Sequence, residues 1–135
     1  MEEDAGTYLA IIDAYREQLE AIEAQSAYIQ ALINDYLKAK LTIENLEKQG
    51  KGEVLLPIGG GIFVPAECDK ISEVLVSEGA DIVIKKDLKG AKDSLDKRIK
   101  DLQDSLTKLG ETYQKIQSKI EELSQKVREA VEKKG

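Results

Sequence analysis

Residues 95–130, LDKRIKDLQDSLTKLGETYQKIQSKIEELSQKVREA, place Leu95, Ile99, Leu102, Leu106, Leu109, Tyr113, Ile116, Ile120, Leu123, Val127 and Ala130 at steps of four and three without a break. A helix turns once per ~3.6 residues, so a strict seven-residue apolar repeat keeps one narrow stripe facing a partner only when two helices supercoil left-handed. The stripe therefore demands a second helix. One is available upstream, where Tyr8, Ile12, Tyr15, Leu19, Ile22, Ser26, Ile29, Ile33, Tyr36, Lys40 and Ile43 repeat the same stepping, with Ser26 and Lys40 as its polar members. Paired antiparallel, the two helices form one long hairpin that brings Tyr8 to the level of residues 127–131.

The segment between the helices follows a different pattern. Val54-Leu55-Leu56, Ile62-Phe63-Val64, Val74-Leu75-Val76 and Ile82-Val83-Ile84 are short β-type apolar runs separated by turn residues. They predict two hairpins, one turning at Gly59-Gly60-Gly61 and the other at Ser77-Glu78-Gly79-Ala80-Asp81. Pro57 and Pro65 have no N–H to give a sheet ladder and belong at edges, ends or bulges. Both faces of the strands read as apolar, and two short hairpins cannot cover two apolar faces by themselves. The reading is an obligate oligomer, with Val54, Leu56, Ile62, Val64, Val74, Val76, Ile82 and Ile84 as its contact residues. The expected architecture is thus α+β: helix 5–49, two hairpins over 53–85 and helix 87–133, forming one unit over 1–135.

Local signals set the helix ends. Either Asp4 or Thr7 can cap the first helix, with Glu2 and Glu3 at the positive end of its dipole. Gly50 can close it in the left-handed conformation. The helix would be roughly 65 Å long at ~1.5 Å per residue. Gly90 and Gly110 fall inside the second helix, each costing up to ~1 kcal/mol relative to Ala. Lys133 and Lys134 suit its negative end and would lie near Glu2, Glu3 and Asp4 in an antiparallel pair.

Composition narrows the function. With one Phe, no Trp and 34% charged residues, the 135-residue chain lacks the bulky groups of a compact single core. Its net charge of −6 is spread among mixed acidic and basic residues. No basic stripe with interleaved aromatics marks a nucleic-acid surface. No apolar run approaches the ~20 residues of a membrane span, and the start is acidic where a secretory signal is basic, so the chain reads as cytoplasmic. The single Cys68 cannot form an intrachain disulfide and reads as a small hydrophobe.

The sequence also argues against catalysis. It contains no His, which removes the commonest general base near neutral pH and the commonest nitrogen ligand for a metal. Its carboxylates are interspersed with lysines as on solvated helix faces. Gly59-Gly60-Gly61 lacks the Gly-Lys-Ser/Thr of a Walker loop and is followed by a strand, where a dinucleotide loop requires a helix. No catalytic residue, metal ligand or cofactor is expected.

One place exceeds the demand of the seam. At about 100° per residue, Leu9 projects about 100° and Ile11 about 60° from the stripe of Tyr8, Ile12, Tyr15 and Leu19. Surplus apolar surface at the end of a helical arm suggests a contact site for other proteins. A single exposed leucine on a fraying end is the plainer account. A second broad apolar face, Leu32, Ile33, Tyr36, Leu37, Leu41, Ile43 and Leu46, is expected to pack on the β layer and on neighbouring subunits.

The run Val54-Leu55-Leu56-Pro57-Ile58-Gly59-Gly60-Gly61-Ile62-Phe63-Val64, with Ser72-Glu73-Val74-Leu75-Val76-Ser77-Glu78-Gly79-Ala80 and Ile84-Lys85-Lys86, resembles the α subunits of archaeal prefoldin. The Lys108-Leu109-Gly110-Glu111 stretch resembles that family's second helix, whereas Gly60, Ile62 and Pro65 depart from its commoner pattern. The resemblance implies a long coiled coil whose two hairpins join an intersubunit β-barrel. It also implies a hetero-hexamer of two α and four β subunits. Such an assembly would be an ATP-independent co-chaperone that captures non-native client proteins at the coiled-coil tips and passes them to a group II chaperonin. Tyr8, Leu9, Ile11, Ile12 and Tyr15, with Val127 and Val131, are the expected client-binding residues. The alternative is a structural one, a filament- or scaffold-forming chain of the same family that adds to itself through open hairpin edges.

Overall fold

The computed structural model describes residues 4–134. The chain runs α1 (Ala5–Gln49), β1 (Gly52–Gly59), β2 (Ile62–Cys68), β3 (Glu73–Ser77), β4 (Val83–Asp87) and α2 (Leu88–Lys134). It is the α+β plan read from the sequence: two long helices flank two antiparallel hairpins, β1–β2 and β3–β4, that form separate two-stranded sheets. The expected dipole partners Glu2 and Glu3 and the side chain of Lys134 lie outside the described residues.

Each helix end has an identifiable stop. Asp4 caps α1, its carboxylate accepting the Thr7 N–H at 2.9 Å and the Thr7 hydroxyl at 3.0 Å. Gly50 ends the helix at φ +64°, its N–H reaching the Leu46 carbonyl. Asp87 caps α2 through a 2.7 Å bond from the Gly90 N–H. Gly90 therefore belongs to the first turn of α2, where its N–H serves the cap, and only Gly110 is a mid-helix glycine.

The chain forms two compact units, one of residues 4–32 with 101–134 and one of residues 33–100. The first is wholly helical. Lys126 lies over the Tyr8 ring, Lys119 over the Tyr15 ring, and the Tyr113 hydroxyl meets Glu23. The α2 partner number falls as the α1 number rises, which defines an antiparallel pair. Ile12, Ile29 and Ile116 are buried between the helices, and the other seam residues of this unit are half-buried. The 3.5-residue period thus marks the buried stripe throughout the unit.

The second unit joins the remaining turns of both helices to the hairpins. Its core is Ile43, Leu88, Ala91 and Leu95, with Tyr36, Ile71, Val74 and Val76 packed against it. Lys40 pairs with Asp96 and Lys92 with Glu47, each at 2.8 Å. The hydrogen bonds to Asp96 and Glu47 hold these two amines above the ordinary lysine range. Lys40 interrupts the apolar stripe only at its charged end, because its stem continues the stripe while its amine reaches out to Asp96.

Strand register follows from the turns and the prolines. β1 and β2 pair Leu55 with Pro65 and Pro57 with Phe63, with a bulge between Pro57 and Gly59. Gly60 and Gly61 both have positive φ, the requirement of a two-residue hairpin turn. The two proline-containing pairs share one ladder parity, and that parity points a residue's N–H away from its partner, so neither proline removes a ladder bond. β3 and β4 pair Val76 with Ile84 and Leu75 with Lys85. Ile82, expected as a strand residue, lies in the turn before β4. There its carbonyl accepts the Glu78 N–H at 2.8 Å and its N–H bonds to the Gly79 carbonyl at 2.9 Å.

Candidate functional site

The expected contact residues of the helical unit divide by the period that generates them. Ile12 is only 3% exposed because it is a seam knob, so it lies in the interhelical core and not on the open surface. Tyr8, Ile11, Tyr15 and Val127 are half-buried, the two tyrosine rings each covered on one face by a lysine amine at 5.7–5.8 Å. Leu9 and Val131 lie outside the packed stripe and are 50% and 58% exposed. These two residues give the paired helix ends their open apolar surface. Tyr28, which the sequence reading passes over, is exposed on the same helix. Its signal was legible, since it sits about 100° from the seam position Ile29.

Farther along the same unit, Ile22, Glu23, Ser26, Leu106, Gly110, Tyr113 and Gln114 line an open groove of about 430 Å³. Ser26 is the smallest side chain of the α1 stripe, and Gly110 brings no side chain. The seam is underfilled at that level. Tyr113 spans it, donating to the Glu23 carboxylate at 2.8 Å, and this bond raises the phenol's pKa above the ordinary tyrosine range.

The hairpins carry the larger apolar surface. On β1–β2, Leu56, Ile58, Ile62 and Val64 are exposed, and so are Leu55 and Phe63, whose side chains alternate to the opposite face from Leu56 and Val64. Val54, paired with Ala66, is half-buried. β3–β4 differs between its faces. Val74 and Val76 pack on the chain's own core, while Leu75, 70% exposed, and Val83 stand on the other face. The expectation of two uncovered apolar faces therefore describes β1–β2 and requires correction for β3, because α1 and α2 supply the cover beneath Val74 and Val76. Ile82 and Ile84 are exposed. On α1, Ile33 and Ile43 are buried, Leu32, Tyr36 and Leu46 half-buried, and Leu37 and Leu41 exposed.

One polar cluster organises this unit. Glu78 in the β3–β4 turn lies 3.1 Å from Lys86 and 3.5 Å from Arg98, and Lys86 also donates to the Ser94 hydroxyl. Arg98 reaches the Ser77 carbonyl at 2.6 Å and stacks near the Tyr36 ring. The Lys86 hydrogen bond holds the Glu78 carboxyl below the ordinary range. Among the described residues no group of three or more His, Cys, Asp or Glu is placed to hold a metal ion, and no helix is long and apolar enough to cross a membrane. Cys68 is a free, half-buried thiol.

Comparison with known proteins agrees with this plan. Residues 15–133 match the family model for prefoldin subunits. A prefoldin subunit alpha of Methanobrevibacter smithii is 34% identical over 83 residues, 62% of this chain and 52% of that protein. Another, from Methanococcus vannielii, is 28% identical over 100 residues, 71% of this chain and 67% of that protein. The chain thus spans about half to two thirds of the length of these curated relatives. Among solved structures, the fold is similar to the filamentous PFD of Methanocaldococcus jannaschii seen by cryo-EM. The TM-score is 0.76 and the identity 27%, with 85% of this chain and 96% of that one covered.

Proposed function

The chain belongs to the prefoldin family, and from that premise we propose that it is the α-type subunit of an ATP-independent co-chaperone. Its hairpins build the intersubunit body with β-type subunits, and the ends of its paired helices hold non-native proteins for transfer to a group II chaperonin in the cytoplasm. The observation that carries this reading is the pairing of a filled seam with surplus apolar surface. Ile12 is buried where the helices need it, and Leu9 and Val131 are exposed where they do not. Weak apolar contacts repeated on several arms suit clients of many sequences, because linked contacts multiply while each remains easily released. Tyr8, Ile11, Tyr15 and Val127 contribute the half-open flank of that surface. No step of capture requires a catalytic group, a metal or a nucleotide.

Similarity to a filamentous protein favours a second reading, in which the chain adds to copies of itself as a structural scaffold. Mass measurement by light scattering, alone and with a β-type subunit, separates the two. A closed complex that suppresses aggregation of a denatured client without ATP is the expected result. An open distribution of sizes with no protection supports the scaffold instead.

A further inference from the structure

Tyr28, 66% exposed, belongs to a second heptad row on α1 that the interhelical seam does not use. Ile11, Ala14, Gln18, Ala21, Gln25 and Tyr28 step by three and four, each preceding a seam residue by one position and so turned about 100° from it. Ile11 is half-buried and the rest of the row is exposed. In a chain that is 34% charged, none of the six carries a charge. A helix face that meets only water is normally charged or polar, whereas an uncharged row at the 3.5-residue period is a seam for a further helix.

The charges that flank the row identify that helix. On one side α1 presents Asp13, Glu17 and Glu20, all exposed. On the other side lies α2. Glu23 and Gln114, which each follow a seam residue, line one groove, so residues that precede seam residues share the opposite face of the helix pair. Lys119 and Lys126, which precede Ile120 and Val127, are on that face and stand at the levels of Tyr15 and Tyr8. The row therefore runs between an acidic edge and a basic edge at similar height. We propose that its occupant is the same row of a second copy of this chain, with the two α1 helices parallel. A two-fold axis along the helices sets the acidic edge of each copy beside the basic edge of the other, Lys119 of one copy level with Asp13 and Glu17 of the other. An antiparallel pair would set acid against acid and base against base. Within the row, Ala14 and Ala21 allow a close approach, and the amides of Gln18 and Gln25, each donor and acceptor, bond to their own copies across the axis and fix the register. Leu9 follows Tyr8 and stands on the opposite face, where the pairing leaves it open. The inference thus goes beyond client capture and does not depend on it.

Disulfide trapping in the full chain carrying Cys68→Ser tests the pairing. Helix axes at the close end of the usual ~8–10 Å range put facing Cα atoms within the ~7 Å limit of a disulfide. Under mild oxidation, Ala21→Cys should give a 21–21 dimer in several-fold excess over the 27–27 dimer of Ala27→Cys, an exposed alanine on another face of α1. Both positions are exposed, so circular dichroism should match the parent. Adding Glu17→Lys to the Ala21→Cys chain should lower the yield several-fold. Adding Lys119→Glu as well should restore it, a rescue that requires contact between copies because the two residues occupy separate edges within one. A 21–21 yield no higher than the 27–27 yield overturns the pairing, as does a Glu17→Lys chain that cross-links like its parent. A mixture of Ala14→Cys and Gln25→Cys chains that gives chiefly 14–25 dimers reveals an antiparallel pair and overturns the orientation. In each of these cases the co-chaperone reading stands, since it is Leu9 and Val131 that test it.

Discussion

The Tyr113 hydroxyl of α2 donates to the Glu23 carboxylate of α1 at 2.8 Å, across a stretch of seam where Ser26 and Gly110 leave a groove. A polar strut thus replaces packing at a level where the stripe is short of volume. Tyr113→Phe keeps the ring in the seam and removes only the strut, whereas Ser26→Leu supplies the missing apolar volume. We expect the first to lower the melting temperature slightly and the second to raise it, read by thermal circular dichroism. A Ser26→Leu chain less stable than the parent would show that the groove is already as full as the helices allow.

The two glycines of α2 should respond oppositely to alanine. At Gly110 an added methyl meets nothing within 4 Å, so Gly110→Ala gains helix propensity and should stabilise by about 0.5–1 kcal/mol. At Gly90 the methyl would lie 2.8 Å from the Asp87 carboxylate oxygen that caps the helix. Gly90→Ala must displace that cap and should give no gain. Equal stabilisation by both would contradict the capping role of Asp87.

The Glu78 cluster predicts an acid-side dependence. Its carboxyl titrates lower in the folded chain than when unfolded, chiefly through the Lys86 hydrogen bond, so its contribution is present above the unfolded value and lost as the pH falls through the folded one. The melting temperature of the parent should therefore fall on acidification through the carboxylate range by more than that of Glu78→Gln. Parallel profiles for the two chains would remove Glu78 from the account.

Charge placed on the hairpins should separate assembly from folding according to face. Phe63→Asp lies on exposed surface of β1–β2 and should lower the mass of the assembly while helicity is kept. Val76→Asp sets a charge on the half-buried face of β3 that packs against the core of Ile43, Leu88 and Leu95 and should lower the melting temperature of the chain itself. Light scattering and thermal unfolding read the two effects. A Val76→Asp chain with the parent's melting temperature would contradict the packing of β3 on the helices.

The contrast between Val76 and Phe63 also shows what the sequence could and could not convey. The 3.5-residue period specified Ile12, Ile29, Ile33, Ile43, Leu95, Ile99 and Ile116 as buried and placed Ser26 and Lys40 on the half-buried stripe, because a stripe is a property of the chain alone. Four apolar runs announced four strands for the same reason. Which face of β3 is covered depends on Ala91 and Leu88 arriving from beyond the hairpin, and no local pattern records that. Arg98 bonding to Ser77 is similarly silent in sequence, since it joins residues on different elements with no shared periodicity. Ile82 read as a strand residue because its β-branched side chain favours one, but the turn claimed its backbone groups.

The central claim, that open apolar residues at the helix ends capture clients separately from assembly, is tested most directly by the chain with Leu9→Ser and Val131→Ser. The measurement is light scattering from a chemically denatured client diluted into the assembled protein without nucleotide, with the mass of the assembly determined on the same sample. Both residues are at least half exposed, so the mass and melting temperature should match the parent, unlike Ile12→Ser, where loss of a buried side chain should cost about 2–5 kcal/mol. The account predicts an intact assembly with client protection lost in large part, because each weakened contact multiplies across arms. An assembly of parental mass that protects the client as well as the parent would contradict it.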